Sequence, residues 1–288
     1  GLSAGGTPIP ILGGARLTGQ IDRYDLGFLT MKTDRSSSAP SNTYVVGRVK
    51  RNLFRNSFVG GLWTNRDSTI RGDYNRVYGS DAHFEFYNRL EFDSYILRSD
   101  TPGKSGRNAA RRFQTGWRDE EITASVEYTT VQANFNPEAG FIRRRDNTQY
   151  SGDFAWKPLM RNSDVIRNLS FSTSVDYIGG SETGKVETRT QAANIGVQFE
   201  NNGSLSFGVT ETFDRLNQRF VIHRTAPEVS IAPGDYTYRS YGVGGSTGQN
   251  RKISASGSFT MGDFWDGRRN TANAGFSWNP NAHFGLDL

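Results

Sequence analysis

Hydrophobic and polar residues alternate with a period of two along much of the chain. Over residues 169–177 the odd positions are Leu, Phe, Thr, Val and Tyr, and the even positions are Ser, Ser, Ser and Asp. The same alternation runs through 195–199, 204–210 and 252–261. Because successive side chains of a strand point to opposite faces, this pattern predicts β-strands with one apolar face and one polar face. No comparable stretch has the i, i+3, i+4, i+7 spacing of a helix, so the sequence predicts an all-β chain.

The segments between the alternating stretches predict antiparallel hairpins. Asn and Gly tolerate the positive φ that tight reversals need, so a turn is expected at 201–203, and another at Asn279-Pro280-Asn281. Longer polar connections are predicted at 34–42, 99–108, 143–149, 178–187 and 224–235. Short and long connections alternate loosely, and about fourteen to sixteen strands are predicted.

The length of the alternating stretches distinguishes a transmembrane β-barrel from a soluble β-sandwich. The stretches last about nine to twelve residues, whereas strands of soluble proteins are mostly ~5–6 residues long. Nine residues at ~3.3 Å each and a tilt of ~40–45° rise roughly 20–23 Å, close to the ~25 Å apolar band of a membrane barrel. Aromatic residues near the strand ends suit the membrane interface. The sequence therefore favours an antiparallel transmembrane β-barrel, with a soluble β-sandwich as the alternative.

The amino-acid composition excludes several kinds of functional site. Aromatic residues make up 12% of the 288 residues, more than a disordered chain would carry. The absence of Cys excludes a disulfide scaffold, a thiolate metal site and a Cys nucleophile. His83, His223 and His283 lie too far apart for a short-range zinc motif, and no apolar run approaches the ~20 residues of a membrane helix. We predict no metal, no cofactor and no catalytic residue.

Part of the first third is apolar on both strand faces. Residues 26–33 and 57–64 show this pattern, so they are expected to contact apolar groups on both sides. A plug formed by residues 1–14 would supply such groups. Side chains filling a narrow zone of the barrel would also supply them, and of the two the sequence favours side-chain filling.

Several segments resemble one recurring family of bacterial outer-membrane barrels of unknown function. They are Ile9-Pro-Ile-Leu-Gly-Gly-Ala-Arg-Leu-Thr-Gly19, Tyr44-Val-Val-Gly-Arg-Val-Lys-Arg51, Ser57-Phe-Val-Gly-Gly-Leu-Trp-Thr-Asn65, Asn75-Arg-Val-Tyr-Gly-Ser-Asp81 and Phe135-Asn-Pro-Glu-Ala-Gly-Phe-Ile-Arg143. The resemblance implies a location in the bacterial outer membrane and a single barrel domain over 1–288. In that family the barrel usually follows a family 9 carbohydrate-binding module, which this sequence does not contain. Because the chain stops within the alternation of 284–288, it is expected to be a large fragment with C-terminal strands missing.

Basic residues supply the candidate binding groups. Arginines at strand ends could pair with phosphates of outer-membrane lipid and lipopolysaccharide. Arginines facing a lumen would favour anionic solutes. Nucleic-acid binding is not predicted, because no compact basic motif with interleaved aromatic residues is present. The candidate binding residues are Arg48, Arg51, Glu138, Arg143, Arg144 and Arg145.

The segment 135–143 has two interpretations. Asn136-Pro137 and Gly140 suit a turn, and this structural role is sufficient to explain the segment. In a functional interpretation, Glu138 and Arg143 form a lumenal pair at a constriction.

Taken together, these features predict a non-catalytic outer-membrane barrel that passes or docks polar solutes. The family resemblance implies that these solutes include oligosaccharides. The alternatives are a soluble all-β glycan-binding module and a barrel-embedded glycoside hydrolase. Glu120 and Glu121 do not support hydrolysis as a pair, because strand neighbours point to opposite faces. A calcium site in a loop over 73–81 is a further alternative to a plain turn.

Overall fold

The computed structural model describes residues 8–36, 39–223, 229–248, 250–281 and 284–288. These residues form eighteen strands and no α-helix, and hence no helix suited to crossing a membrane. The strands are β1 (Ile11–Ile21), β2 (Tyr24–Thr33), β3 (Asn42–Phe54), β4 (Ser57–Ser68), β5 (Tyr74–Phe86), β6 (Leu90–Asp100), β7 (Ala109–Arg118), β8 (Ile122–Val131), β9 (Asn147–Trp156), β10 (Ile166–Gly180), β11 (Val186–Phe199), β12 (Ser204–Leu216), β13 (Phe220–His223), β14 (Val229–Ile231), β15 (Gly234–Ser246), β16 (Ile253–Phe264), β17 (Gly267–Asn281) and β18 (Phe284–Asp287).

Sixteen of these strands form one antiparallel sheet in which chain neighbours are sheet neighbours. The one exception is the pairing of β12 with β15, because β13 and β14 form a separate two-stranded ribbon. In the described residues the order begins at β1, ends at β18 and does not close. The predicted all-β class, the antiparallel hairpins and the number of strands in the sheet are confirmed.

The chain divides into two compact units. Unit 1 comprises Gly1–Gly116, Glu127–Gln149 and Gly180–Gly184, and unit 2 comprises Trp117–Val126, Tyr150–Gly179 and Lys185–Leu288. Connection lengths alternate in unit 1. One end of its strands, called the turn end, carries the short connections 22–23, 55–56 and 87–89. The other end, called the loop end, carries the longer connections 34–41, 69–73, 101–108 and 132–146.

Some predicted connections were wrong. The connection predicted at 143–149 occupies 132–146, and the loop predicted over 73–81 lies mostly within β5. Pro280 and its two neighbours belong to β17, so the turn predicted at 279–281 is strand. Polar residues misled the prediction in both strands, since one face of each strand is mostly polar.

The two faces of unit 2 follow the predicted alternation. Ile195 lies opposite Phe207, Phe207 opposite Val243, and Val243 opposite Phe259. These four side chains are between 42% and 52% exposed, so they form an apolar row that no described residue covers. One residue along each strand, the opposite face carries the row Asn194, Gly208, Gly242, Thr260 and Thr271.

Unit 1 also has one exposed apolar face, but its other face is partly covered. On that covered face Phe135, from the connection 132–146, packs against Val77 and Ala110, and all three are at most 3% exposed. Asn75, 1% exposed, donates from Nδ2 to the carbonyl oxygen of Asn136 at 2.6 Å and accepts at Oδ1 from the Glu138 amide at 3.1 Å. The connection is therefore fastened to the sheet by both packing and hydrogen bonds.

This arrangement bears on the predicted plug. Ile11–Gly14 of the candidate segment form the start of β1, and residues 1–7 lie outside the described residues. The segment that packs onto the second face of β5 and β7 is 132–146, which the sequence did not nominate. An aromatic residue from a loop thus supplies the apolar contact in this part of the unit.

Phe135 is expected to hold the connection 132–146 on the sheet. Phe135→Ala should cost about 3–5 kcal/mol of local stability, because it removes a buried ring and leaves a cavity. Limited proteolysis should then cut within 132–146 at lower protease concentration. Phe141→Ala is the matched control, since Phe141 lies in the same connection and is 88% exposed. Equal protection of both variants would contradict the assigned anchoring role.

Candidate functional site

The polar face of unit 1 carries paired charges. Arg48 and Lys50 lie two residues apart on β3, so both point to this face. Arg48 forms two hydrogen bonds with Asp81, Nη1 to Oδ1 at 3.0 Å and Nη2 to Oδ2 at 2.6 Å. Lys50 Nζ lies 2.9 Å from Asp25 Oδ2. Each cation is held by a carboxylate on a neighbouring part of the same face.

The same pattern continues along the face. Arg112 Nη2 lies 2.8 Å from Glu127 Oε2, and His83 Nδ1 lies 2.8 Å from Asp93 Oδ1. These side chains keep between about a quarter and two fifths of their surface exposed, so each pair contributes little to stability. Arg112 and Glu127 compensate each other's charge, whereas the contact of His83 with Asp93 is an ion pair only when the imidazole is protonated.

A buried arginine joins two connections at the loop end of unit 1. The Arg66 side chain is 9% exposed, and its Nη2 lies 2.6 Å from both Asp73 Oδ1 and Glu138 Oε2. Its Nη1 donates to Asn42 Oδ1 at 3.2 Å. Arg66 therefore ties the connections 69–73 and 132–146 to β3 and β4.

A second arginine, Arg107, joins several connections at the loop end of unit 1. Arg107 Nη2 lies 2.7 Å from Asp146 Oδ1, and Arg107 Nη1 lies 2.5 Å from Glu182 Oε2. Arg107 Nη2 also donates to Ser181 Oγ at 2.9 Å. This one guanidinium holds together the connections 101–108 and 132–146 and residues 181–184, all of which belong to unit 1.

The structure separates the predicted site residues. Arg48 lies on the polar face, whereas Arg51 lies on the apolar face with its guanidinium carbon 5.6 Å from the ring centre of Tyr24. Arg143 and Arg144 are exposed in the connection 132–146. These four arginines therefore do not form one site, whereas Glu138 and Arg145 share Asn136 as a hydrogen-bond partner.

Glu138 has a different partner from the one considered in the sequence. Its ion pair is with Arg66, and a pair with Arg143 is not among those of the described residues. Asn136 donates from Nδ2 to Glu138 Oε1 at 2.8 Å and accepts at Oδ1 from Arg145 Nη2 at 2.8 Å. These contacts agree with the structural interpretation of 135–143.

Sequence reasoning missed Arg66, and it considered Asn75 and Asp81 only within a calcium loop over 73–81. Alternation puts Asn75 and Asp81 on one face of β5, and the observed register pairs Arg66 with Asn75 on that face. Nothing in the sequence shows that Arg66 is covered by a segment about seventy residues away, since that follows from how the connection folds back.

The polar face of unit 2 is built from small uncharged residues. One cross-strand row consists of Ser170, Gly196, Ser206, Gly244, Ser258 and Asn273. Beyond this row, Asp214 Oδ2 accepts from the Tyr238 hydroxyl at 2.7 Å and from Trp265 Nε1 at 3.2 Å. The middle of this face therefore offers hydroxyl, amide and backbone groups to a solute.

Residues considered for catalysis or metal binding lie outside strands or are already paired. Glu120 and Glu121 were expected to be strand neighbours, but they lie in the connection between β7 and β8, so that expectation was wrong. Asp73 and Asp81 are held by arginines, which removes the carboxylates on which a calcium site over 73–81 would depend. Within the described ranges, no three His, Asp or Glu side chains are arranged to hold a metal ion.

Comparisons with known proteins did not identify a relative of this chain. No family model matches the chain, and neither a curated protein nor a solved structure matches it. The resemblance to the outer-membrane barrel family therefore stays a prediction, and the functional argument depends on the geometry of the chain itself.

Acid is expected to weaken the anchor at Asp73. The hydrogen bond from Arg66 holds the pKa of Asp73 below its usual value of 3.8. The pair therefore contributes its full stability above pH 3.8, and that contribution is lost as the pH falls through the lowered pKa. Asp73→Asn should lower the urea midpoint of unfolding at pH 7, and its difference from the parent should shrink below pH 3.8.

Asp22→Asn provides the control, because Asp22 lies in the turn 22–23 at the opposite end of the unit and Asn tolerates its positive φ of 52°. A deficit of Asp73→Asn that stayed constant from pH 7 to pH 3 would contradict the electrostatic account.

Proposed function

We propose that the chain is a non-catalytic β-barrel protein of the bacterial outer membrane that passes or docks polar solutes. In this proposal the apolar strand faces contact lipid, and the polar faces line an aqueous lumen. Short turns face the periplasm and the longer connections face outward, as is usual for such barrels.

One observation carries the proposal. The apolar row of Ile195, Phe207, Val243 and Phe259 crosses four neighbouring strands while each side chain keeps 42–52% of its surface exposed. A soluble sandwich would cover such a row with a second sheet about 10 Å away. Lipid chains would cover it without another protein layer, and contiguous apolar surface of this kind is rare on soluble monomers.

The nature of the polar faces supports an uncharged polar solute. Arg48 faces the proposed lumen, but Asp81 binds its guanidinium through both carboxylate oxygens. The Ser, Thr, Asn and Gly rows of unit 2 offer hydrogen bonds without net charge. Neutral sugars suit such a surface better than the anionic solutes considered from the basic clusters.

The purified chain tests this proposal directly. We expect detergent-dependent β-structure, slower gel migration after heating, and swelling of liposomes in neutral oligosaccharides. A monomer that stays soluble without detergent and keeps the same β-spectrum would overturn the membrane assignment and make glycan binding the next question.

Phe207 is expected to face lipid. Phe207→Arg should destabilise the folded chain by about 2–4 kcal/mol, the cost of a cation near the bilayer centre. Urea unfolding in lipid vesicles measures this change. Ser206→Arg, on the polar face of the same strand, should cost far less because water can reach it. Equal costs for the two variants would contradict the assignment of faces.

Asp81 is expected to neutralise Arg48. Asp81→Asn keeps the size of the side chain but leaves the guanidinium without a compensating charge, so current through planar bilayers should shift toward anions. The reversal potential in a potassium chloride gradient measures the shift. Asp266→Asn, in the connection 265–266 of unit 2, should leave the reversal potential unchanged. An unchanged potential in Asp81→Asn would place the Arg48 pair outside the conduction path.

A further inference from the structure

A groove crosses the exposed apolar face of unit 1. It has a volume of about 620 Å³, and its floor lies at Gly47 and Gly61. The walls are Leu17, Leu26, Phe28, Val49, Trp63 and Tyr78. Each of these six side chains is between 39% and 72% exposed, so no described residue fills the groove.

The groove exists because two diagonal neighbours lack side chains. Gly47 lies between Phe28 and Trp63 in one cross-strand row, and Gly61 follows Val49 in the next row. Neither glycine has a positive φ, so the backbone does not require glycine at either position. A Cβ at Gly61 would meet nothing nearer than the Gly79 carbonyl oxygen at 3.9 Å. The depression is open and is lined by side chains that a single acyl chain could contact.

The end of the groove near the turns is basic. Arg51 is on the same face as Val49, two residues closer to the turn end of β3 and about 13 Å from Gly47. Arg23 and Arg55 lie in the adjacent turns 22–23 and 55–56 together with Asp22. Glu85 also reaches the second turn, where its Oε2 accepts a hydrogen bond from Asn56 Nδ2 at 2.8 Å. The hydrogen bond from the Asn52 amide to the Arg23 carbonyl, 2.8 Å long, fixes the first turn beside β3.

An apolar groove leading to a basic end matches the chemistry of one ligand class. We propose that this surface binds an anionic phospholipid, with an acyl chain along Gly47 and Gly61 and the phosphate at Arg51, assisted by Arg23 and Arg55. Guanidinium groups bind phosphate oxygens through paired hydrogen bonds. The turn end would face the periplasm, where the inner leaflet consists of phospholipid, so lipopolysaccharide is not the ligand proposed here.

This inference rests on the proposed membrane location. The test uses native mass spectrometry of the detergent-solubilised full chain, after addition of dioleoyl phosphatidylglycerol or dioleoyl phosphatidylcholine. We expect one retained molecule of phosphatidylglycerol per chain and roughly tenfold weaker retention of phosphatidylcholine. Arg51→Gln should weaken phosphatidylglycerol retention roughly tenfold, as expected for the loss of a charge-assisted hydrogen bond.

A second variant tests the groove separately from the charge. Gly61→Leu fills the floor and should abolish retention of both lipids while leaving the fold intact, because space is available at Cβ. Gly257→Leu is its control in unit 2, where the nearest atom to a Cβ is the Asn273 carbonyl oxygen at 3.8 Å. Arg71→Gln, in the connection 69–73 at the loop end, is the control for charge. Both controls should retain phosphatidylglycerol like the parent chain.

Two results would overturn the inference without affecting the barrel proposal. One is a heat-modifiable, detergent-dependent chain whose lipid retention is the same in Gly61→Leu and Gly257→Leu. The other is a dimer in detergent that Gly61→Leu dissociates, since a second copy would then occupy the groove. A chain that is soluble without detergent would instead remove the proposed function itself.

Discussion

Cross-strand registration of the alternating pattern is the constraint on which the rest of this structure depends. A shift of one residue between two strands would move every apolar side chain of one strand to the polar face. The observed register keeps Phe207 beside Ile195 and Val243, and it keeps Gly208 beside Asn194 and Gly242. Because the strands between β1 and β18 form backbone hydrogen bonds with a neighbour on each side, their two faces can meet different surroundings.

Given two distinct faces, the units use their polar faces differently. Unit 1 places opposite charges on strands that are one or two positions apart in the sheet, and it covers part of that face with the connection 132–146. Unit 2 uses small hydroxyl, amide and glycine residues instead. Phe135 and Arg66 show how the covered part is held, one by packing and the other by joining Asp73 to Glu138. A face of compensated charges and small polar groups suits neutral solutes, which supports the proposed function.

The exposed apolar face of unit 1 contains a groove. Gly47 and Gly61 leave a depression among the aromatic and aliphatic side chains of this face, on the side of the basic turn end. A face that only contacted fluid lipid would need no depression leading to Arg51. The combination of missing side chains and nearby guanidinium groups is the basis of the proposed binding of an anionic phospholipid.

The sequence by itself determined the β class, the two faces of each strand and the approximate number of strands, because a period of two is a local property of the chain. It could not determine the partners of Glu138 or the burial of Arg66, because these depend on how 132–146 folds back onto β4 and β5. Alternation along β3 assigns Arg48 and Arg51 to opposite faces, because they are three positions apart. Their residue type alone does not distinguish them. Tertiary structure decided which charges are paired, because a salt bridge requires proximity between strands that the sequence separates by tens of residues.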